Sequence, residues 1–303
     1  MSLDVSPQTG VRDRVLALSQ LIGSMVCLQF GSSTAKYLFP VFGPLGMVGL
    51  RTCFAAFILT CVFKSWHVLS WRTIRLALPY GLSTAGMNLC FYLSVERIPL
   101  GMAVAIEFTG PLLLAFFGSR QWSDLGWLTL TIGGLALLLK PTASGHHLDT
   151  LGVLFSVAAA IFWALYILFG KRLTGKIAPT HASALGLMCG SMVLFLPGFV
   201  PAIAIGVSQP LMLALSLLVA IFSSALPYAL EMRAMHRLPA RDLGVLYSLD
   251  PVCATVAGIL ILHETLSAPR LLGILLIATA SAGTVLTPSA KKRPLADVPE
   301  APQ

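Results

Sequence analysis

The chain has 303 residues, of which 56% are hydrophobic and only 11% charged, and it carries a formal net charge of +8. A charged fraction roughly half that of an ordinary soluble domain excludes a pair of soluble domains. The lack of short alternating strands excludes an outer-membrane barrel. A polar tail at 1–14 precedes apolar segments at 15–38, 45–64, 74–95, 100–118, 122–140, 149–170, 180–202, 210–232, 240–262 and 268–287. A basic, proline-rich tail closes the chain at 288–303. Each segment is near the roughly 20 residues a bilayer requires, so the fold class is an all-α polytopic membrane protein with ten transmembrane helices.

Polar residues inside these segments are the candidates for chemistry, because each is costly in lipid unless it faces protein or water. The first segment carries Gln29 and Ser32, and the second carries Arg51 about six residues from its start. Arg51 reads as snorkelling to the nearer interface in preference to binding a substrate carboxylate. The third segment places Thr84, Asn88 and Tyr92 on one face by their four-residue spacing. Glu107 lies halfway along the fourth, where it reads either as a proton-exchanging acid or as a structural acid pinning helices together. Trp163 and Tyr166 mark the sixth segment, and Ser224, Tyr228 and Glu231 share a face of the eighth. The ninth holds Tyr247, Ser248 and Asp250. Singly, such residues serve equally well as interhelical glue or aromatic packing. Together they point to a polar pocket.

The stretch Arg97–Pro111, RIPLGMAVAIEFTGP, has a counterpart 140 residues later in Arg237–Pro251, RLPARDLGVLYSLDP. Both open on Arg, an aliphatic residue and Pro, and both end on a second Pro. Pro111 and Pro251 lack an N–H for the carbonyl four residues back, those of Glu107 and Tyr247, so a helix kink beside polar chemistry is expected at each. Thr84 and Asn88 recur as Ser224 and Tyr228 at the same offset. The ten segments therefore divide into two five-helix repeats, 15–140 and 149–287. An odd number of helices inverts one repeat relative to the other, and inverted repeats serve alternating access around a midplane site.

The basic residues give the orientation. With both ends cytoplasmic, fifteen Lys and Arg lie on the cytoplasmic side and only Lys36, Arg97, Lys140 and Arg270 on the other, with Arg51 inside the second segment. That bias places both termini in the cytoplasm, and it accounts for the net charge without nucleic acid. The six cysteines lie in apolar runs without a CxxC pair, and read as free buried thiols. No HExxH, GxSxG or Walker loop is present, which argues against a metalloprotease, a serine hydrolase and an ATP-driven pump. His146 and His147 with Asp149 make a weak candidate for surface metal binding. The chain is expected to be no enzyme and to need no cofactor.

The phrase AVAIEFTGPLLLAFF, with GSSTAKYLFPVFG, GMNLCFYLSVERIPLG, SSALPYALEM and HETL, resembles the EamA-type members of the drug/metabolite transporter superfamily. Within them the chain is similar to the bacterial inner-membrane threonine/homoserine exporters. That resemblance implies export of small amino acids from the cytoplasm by proton antiport, with a central cavity lined by the first, third, fourth, sixth, eighth and ninth helices. Glu107 and Asp250 are then the proton-coupling candidates. Gln29, Ser32, Asn88, Tyr92, Glu107, Trp163, Tyr166, Tyr228, Tyr247 and Ser248 are the substrate-contact candidates. Relatives commonly carry Glu-Pro where this chain has Asp250-Pro251. A broader metabolite or drug exporter and a non-transporting membrane scaffold or sensor are the alternatives. A monomer and a homodimer both remain open.

Overall fold

The computed structural model describes residues 11–118, 122–139, 149–237, 247 and 249–286. The described parts of all ten predicted segments are helical, and no strand occurs among the described residues. The helices are α1 (Val11–Tyr37), α2 (Phe39–Val62), α3 (Trp71–Val95), α4 (Leu100–Glu107), α5 (Thr109–Gly118), α6 (Trp122–Leu139) and α7 (Thr150–Thr174). They continue as α8 (Pro179–Leu194), α9 (Val200–Ser208), α10 (Pro210–Ala220), α11 (Leu226–Arg237), α12 (Asp250–Leu262) and α13 (Ala268–Leu286). Both tails, the loop with His146 and His147, and Ser248 fall wholly or mainly outside the described residues.

Local sequence explains the starts and breaks. Ser70 and Thr73 form a reciprocal capping box at the head of α3, with Ser70 N–H donating to Thr73 Oγ1 at 2.9 Å and Thr73 N–H to Ser70 Oγ at 3.2 Å. Pro179 and Pro210 open α8 and α10, where a missing N–H costs nothing. The second span begins at Phe39, six residues before its predicted start, and bends at Gly43. Gly43 has φ 67°, a conformation that a side chain would strain, and Pro44 requires an extended residue before it.

Regular helix breaks beside both Pro111 and Pro251. They lie in the first turns of α5 and α12, and the interruptions fall just ahead of them, at Phe108 and Leu249. Two further distortions are π-turns, Phe195–Phe199 between α8 and α9 and Ile221–Ala225 between α10 and α11. Pro197 lies within the first and Pro227 just follows the second. Each removes one rung of the helical ladder, which the wider turn absorbs.

Four of the described helical runs are long and apolar enough to cross a membrane by length and composition: Phe39–Val62, Thr150–Thr174, Pro179–Ser208 and Pro210–Glu231. Shorter apolar helices among the described residues include Leu100–Leu113 and Asp250–Leu262. Large apolar side chains, among them Phe57, Ile161, Leu196 and Leu211, face outward. In lipid this is the favourable direction. Inside, α3 packs on α7 and α8, α1 on α11 and α12, α2 on α8, α4 on α12, and α6 on α13. Two apolar clusters result. One, around Phe42, Val95, Leu100 and Met102, occupies the end of the bundle where α1 finishes. The other, around Leu59, Ala77, Tyr80 and Leu173, occupies the opposite end. All six cysteines are free, and Cys61 alone of them is exposed.

Candidate functional site

A cavity lies between the two clusters, taking Phe91 from the rim of the first and Tyr166 and Tyr228 from the second. Measured over the positions a water centre can occupy, it encloses about 80 Å³. One water needs roughly 10–15 Å³ on that measure, so the space suits several waters or a small polar solute. From α1 come Ser24, Met25, Leu28, Gln29 and Ser32, the single face that helical periodicity allows. Arg51 enters from α2, Met87, Asn88 and Phe91 from α3, and Glu107 from the last residue of α4. Trp163 and Tyr166 come from α7, Pro227, Tyr228 and Glu231 from α11, and Tyr247 and Asp250 from the ninth segment.

The interrupted helices explain two of these placements. Because α4 stops at Glu107 and α12 starts at Asp250, each acid stands at a helix end instead of on a continuous cylinder. Both are nevertheless buried, at 7% and 5% exposure. Asp250 Oδ1 accepts a hydrogen bond from Gln29 Nε2 at 3.0 Å, joining α12 to α1. Glu231 Oε1 accepts from the Tyr247 hydroxyl. Glu107 lies within electrostatic reach of both Asp250 and Arg51.

Arg51 overturns the snorkelling expectation. It is 2% exposed and turned into the bundle. Its Nη1 donates to Tyr92 Oη at 3.1 Å, its Nη2 donates to Asn88 Oδ1, and its guanidinium carbon lies 4.8 Å from the Tyr92 ring centre. Asn88 is itself fixed, donating Nδ2 to Thr84 O at 2.8 Å. Among the described residues no carboxylate forms an ion pair with Arg51, and its Nε has no hydrogen-bond partner. Gln29 Oε1 and Ser32 Oγ are likewise buried without one.

Of the sequence candidates, the cavity gathers Gln29, Ser32, Asn88, Glu107, Trp163, Tyr166, Tyr228, Tyr247 and Asp250. Tyr92 does not reach the wall and stands behind Arg51. Pro111 and Pro251 are also off the wall, and Ser248 lies outside the described residues. Ser224 is buried but does not line the cavity, because the π-turn it sits in breaks the regular spacing to Tyr228. Trp163 packs edge-on against Phe108, at the interruption between α4 and α5, and Tyr166 stacks on Tyr80 at 4.9 Å. No cluster of three or more metal-ligating side chains occurs among the described residues.

Sequence reasoning missed Glu264. Its carboxylate accepts from Lys36 Nζ at 3.0 Å and from the Leu100 backbone N–H at 2.9 Å, tying the end of α1 to the start of α4. The HETL phrase was the available signal, but nothing in it names these distant partners.

A helical membrane bundle that encloses a cavity with both signs of charge is the architecture of a small-solute transporter. Residues 150–286 match the EamA-like transporter family. The threonine/homoserine exporter RhtA of Salmonella typhimurium (strain SL1344) is 40% identical over 277 residues, covering 90% of this chain and 92% of that protein. RhtA of Escherichia coli (strain K12) is 41% identical over 272 residues, 88% of this chain and 90% of its own. A probable amino-acid metabolite efflux pump of Escherichia coli (strain K12) is 26% identical over 255 residues, 78% of this chain and 83% of that one. A solved crystal structure at 15% identity superposes with a TM-score of 0.59, covering 90% of this chain and 95% of its own, which is a likeness of fold. The chain belongs to the EamA-like transporter family, a family of transporters and not of enzymes.

Proposed function

We propose that this protein is a secondary active exporter of small amino acids, threonine and homoserine among them, in the bacterial inner membrane. The observation that carries the reading is the cavity lined by Arg51 and by Glu107, Glu231 and Asp250 in a chain 40% identical to threonine/homoserine exporters over nine-tenths of its length. In this reading Gln29, Ser32, Asn88, Trp163, Tyr166, Tyr228 and Tyr247 surround the substrate. Glu107 exchanges a proton between the two sides, with Asp250 beside it. Both termini face the cytoplasm, as the bias of basic residues indicates.

Alternating access by two inverted repeats, 15–140 and 149–287, is part of the proposal, and the helix pairings support it. Exchanging the first five segments for the last five turns the α3–α7 pair into the α11–α1 pair and the α4–α7 pair into the α12–α1 pair, and all four occur. The α2–α8, α4–α12 and α6–α13 pairs map onto themselves. Gly134 and Gly273, 139 residues apart, lie against one another: a Cβ on Gly134 would meet Gly273 O at 2.8 Å, and one on Gly273 would meet Gly134 O at 2.6 Å. At the offset of 140, Gly273 corresponds to Gly133, so the contact joins residues one position from equivalence, close to where a two-fold axis between repeats would run.

The test is efflux from proteoliposomes loaded with a panel of amino acids, with and without a pH gradient. The reading requires outward movement of threonine or homoserine that the gradient accelerates, and no flux of either would sink it. The apolar wall of Met25, Leu28, Met87 and Phe91 favours a second reading, a wider range of amphipathic metabolites, which the same panel separates.

A further inference from the structure

Arg51 and the acids of the cavity share one space, and among the described residues none of the acids lies within ion-pair distance of Arg51. Arg51 is bound by neutral acceptors, the oxygens of Asn88 and Tyr92, while Asp250 and Glu231 are bound by neutral donors, Gln29 and Tyr247. In a medium of low polarity, ions sharing one cavity attract strongly, so pairing is the default outcome. Here Arg51 and the Asp250 and Glu231 carboxyls are held in separate hydrogen-bond networks. A guanidinium has five N–H donors, and the Asn88 and Tyr92 bonds use two. The remaining three include the unpartnered Nε, and the Tyr92 ring against the guanidinium carbon fixes where they lie. Arg51 is therefore a buried cation with spare donors and no ion-pair partner among the described residues, on the wall of a solute-sized cavity.

We propose that Arg51 is the substrate's carboxylate anchor, taking the α-carboxylate on its free N–H groups while Asp250 of the ninth segment and Glu231 of α11 face the ammonium. This rests on the reading of the cavity as an amino-acid site, and it adds a selection rule. Any transported amino acid must present a free carboxylate, and capping or reducing that group abolishes recognition even when side chain and ammonium are intact. A purely structural rivet between α2 and α3 would need neither a place on the cavity wall nor spare donors. Asn88 and Tyr92 are then positioning residues, holding the guanidinium in register for a bidentate contact.

The experiment is counterflow of labelled threonine into proteoliposomes of the wild-type protein, competed by threonine, threonine amide, threoninol and N-acetylthreonine, with R51Q and R51K assayed alongside. Threonine amide and threoninol should compete roughly 10- to 100-fold more weakly than threonine, the scale of one lost charge-assisted contact. R51Q should lose threonine-dependent thermal stabilisation, and R51K, a point charge without the planar fork, should recover only part of it. Threoninol competing as well as threonine, or R51Q binding threonine with unchanged affinity, overturns the proposal. If R51Q fails to fold, the wild-type competition decides by itself. If the wild type moves neither threonine nor homoserine, the proposed substrate range is what has failed. Thermal stabilisation by each amino acid of the panel against its amino alcohol then tests the anchor, and equal effects within every pair overturn it.

Discussion

Lys36 Nζ donates to Glu264 Oε1 at 3.0 Å, and the same carboxylate accepts the Leu100 backbone N–H at 2.9 Å. One side chain thereby joins α1, α4 and the segment after α12 at a single end of the bundle. It supplies a carboxylate to the first turn of α4, whose N-cap Pro99 offers no side-chain cap. Anions at that position satisfy free N–H groups and complement the helix dipole. Removing the carboxylate by E264A should lower stability by roughly 1–2 kcal/mol, the range of a lost helix cap. K36M and E264A together should cost less than the sum of their separate effects, because they share one contact. Detergent-solubilised melting curves of the four proteins measure this, and strict additivity would disconnect the pair.

Asp149 gives a pH-dependent counterpart just ahead of α7. Its Oδ1 accepts from Leu151 N–H at 2.8 Å and Gly152 N–H at 3.2 Å, and its Oδ2 accepts from Arg97 Nη1 at 3.0 Å. The Gly152 N–H and then the Arg97 guanidinium hold its carboxyl below the usual value of 3.8. A lowered folded pKa stabilises the fold above the unfolded value, and that contribution is lost as pH falls through the folded one. D149N should therefore flatten the fall in melting temperature below pH 3.8. Identical slopes for variant and wild type would show that the contact adds nothing.

At Gly134 the α6 backbone lies directly against the α13 backbone, so G134V should be strongly disruptive. A Cβ there would lie 2.8 Å from both Gly273 O and Ile277 Cγ1, and backbone cannot yield as a flexible side chain can. The expected loss is about 1–3 kcal/mol, the usual cost of overpacking. The neighbouring Gly133 has nothing within 4 Å of its own Cβ position, so G133A is the matched control and should melt like the wild type.

E107Q tests coupling directly, since the amide keeps shape and hydrogen bonding while removing the titration. A coupling acid so changed should lose pH-driven net efflux of threonine while retaining exchange of labelled for unlabelled threonine. A structural acid would leave both activities nearly intact, and a group that binds the substrate ammonium would lose both. Normal pH-driven efflux by E107Q ends the coupling assignment.

What was legible in the sequence depended on whether the deciding interaction was local. The helical segments were readable because length and apolarity are properties of a stretch, and Glu107 and Asp250 stood out as acids where acids are costly. Arg51 was misread because one position can end at an interface or in a core, and only residues 37 and 41 places away, Asn88 and Tyr92, decide. Glu264 was unreadable for the same reason, its partners lying 228 and 164 residues distant. The prolines show the limit from the other direction. Their missing N–H groups located the interruptions to within a few residues, but whether a helix kinks, stops or widens into a π-turn depends on what packs against it.

The π-turn at Ile221–Ala225 has a consequence for length variation in this chain. Such a turn holds one residue more than an α-helix would spend on the same rise, while the helices on either side keep their faces. Losing one residue anywhere in α11 would rotate everything beyond it by about 100°. Losing one inside the π-turn would convert it to ordinary helix and leave Tyr228 and Glu231 directed at the cavity. The casualty would be local, because the Ser223 backbone now lies against Gly31 of α1, where a Cβ would come within 2.9 Å of Ser223 N. That segment is the place in α10–α11 where a shorter chain could keep its site and give up only a seam.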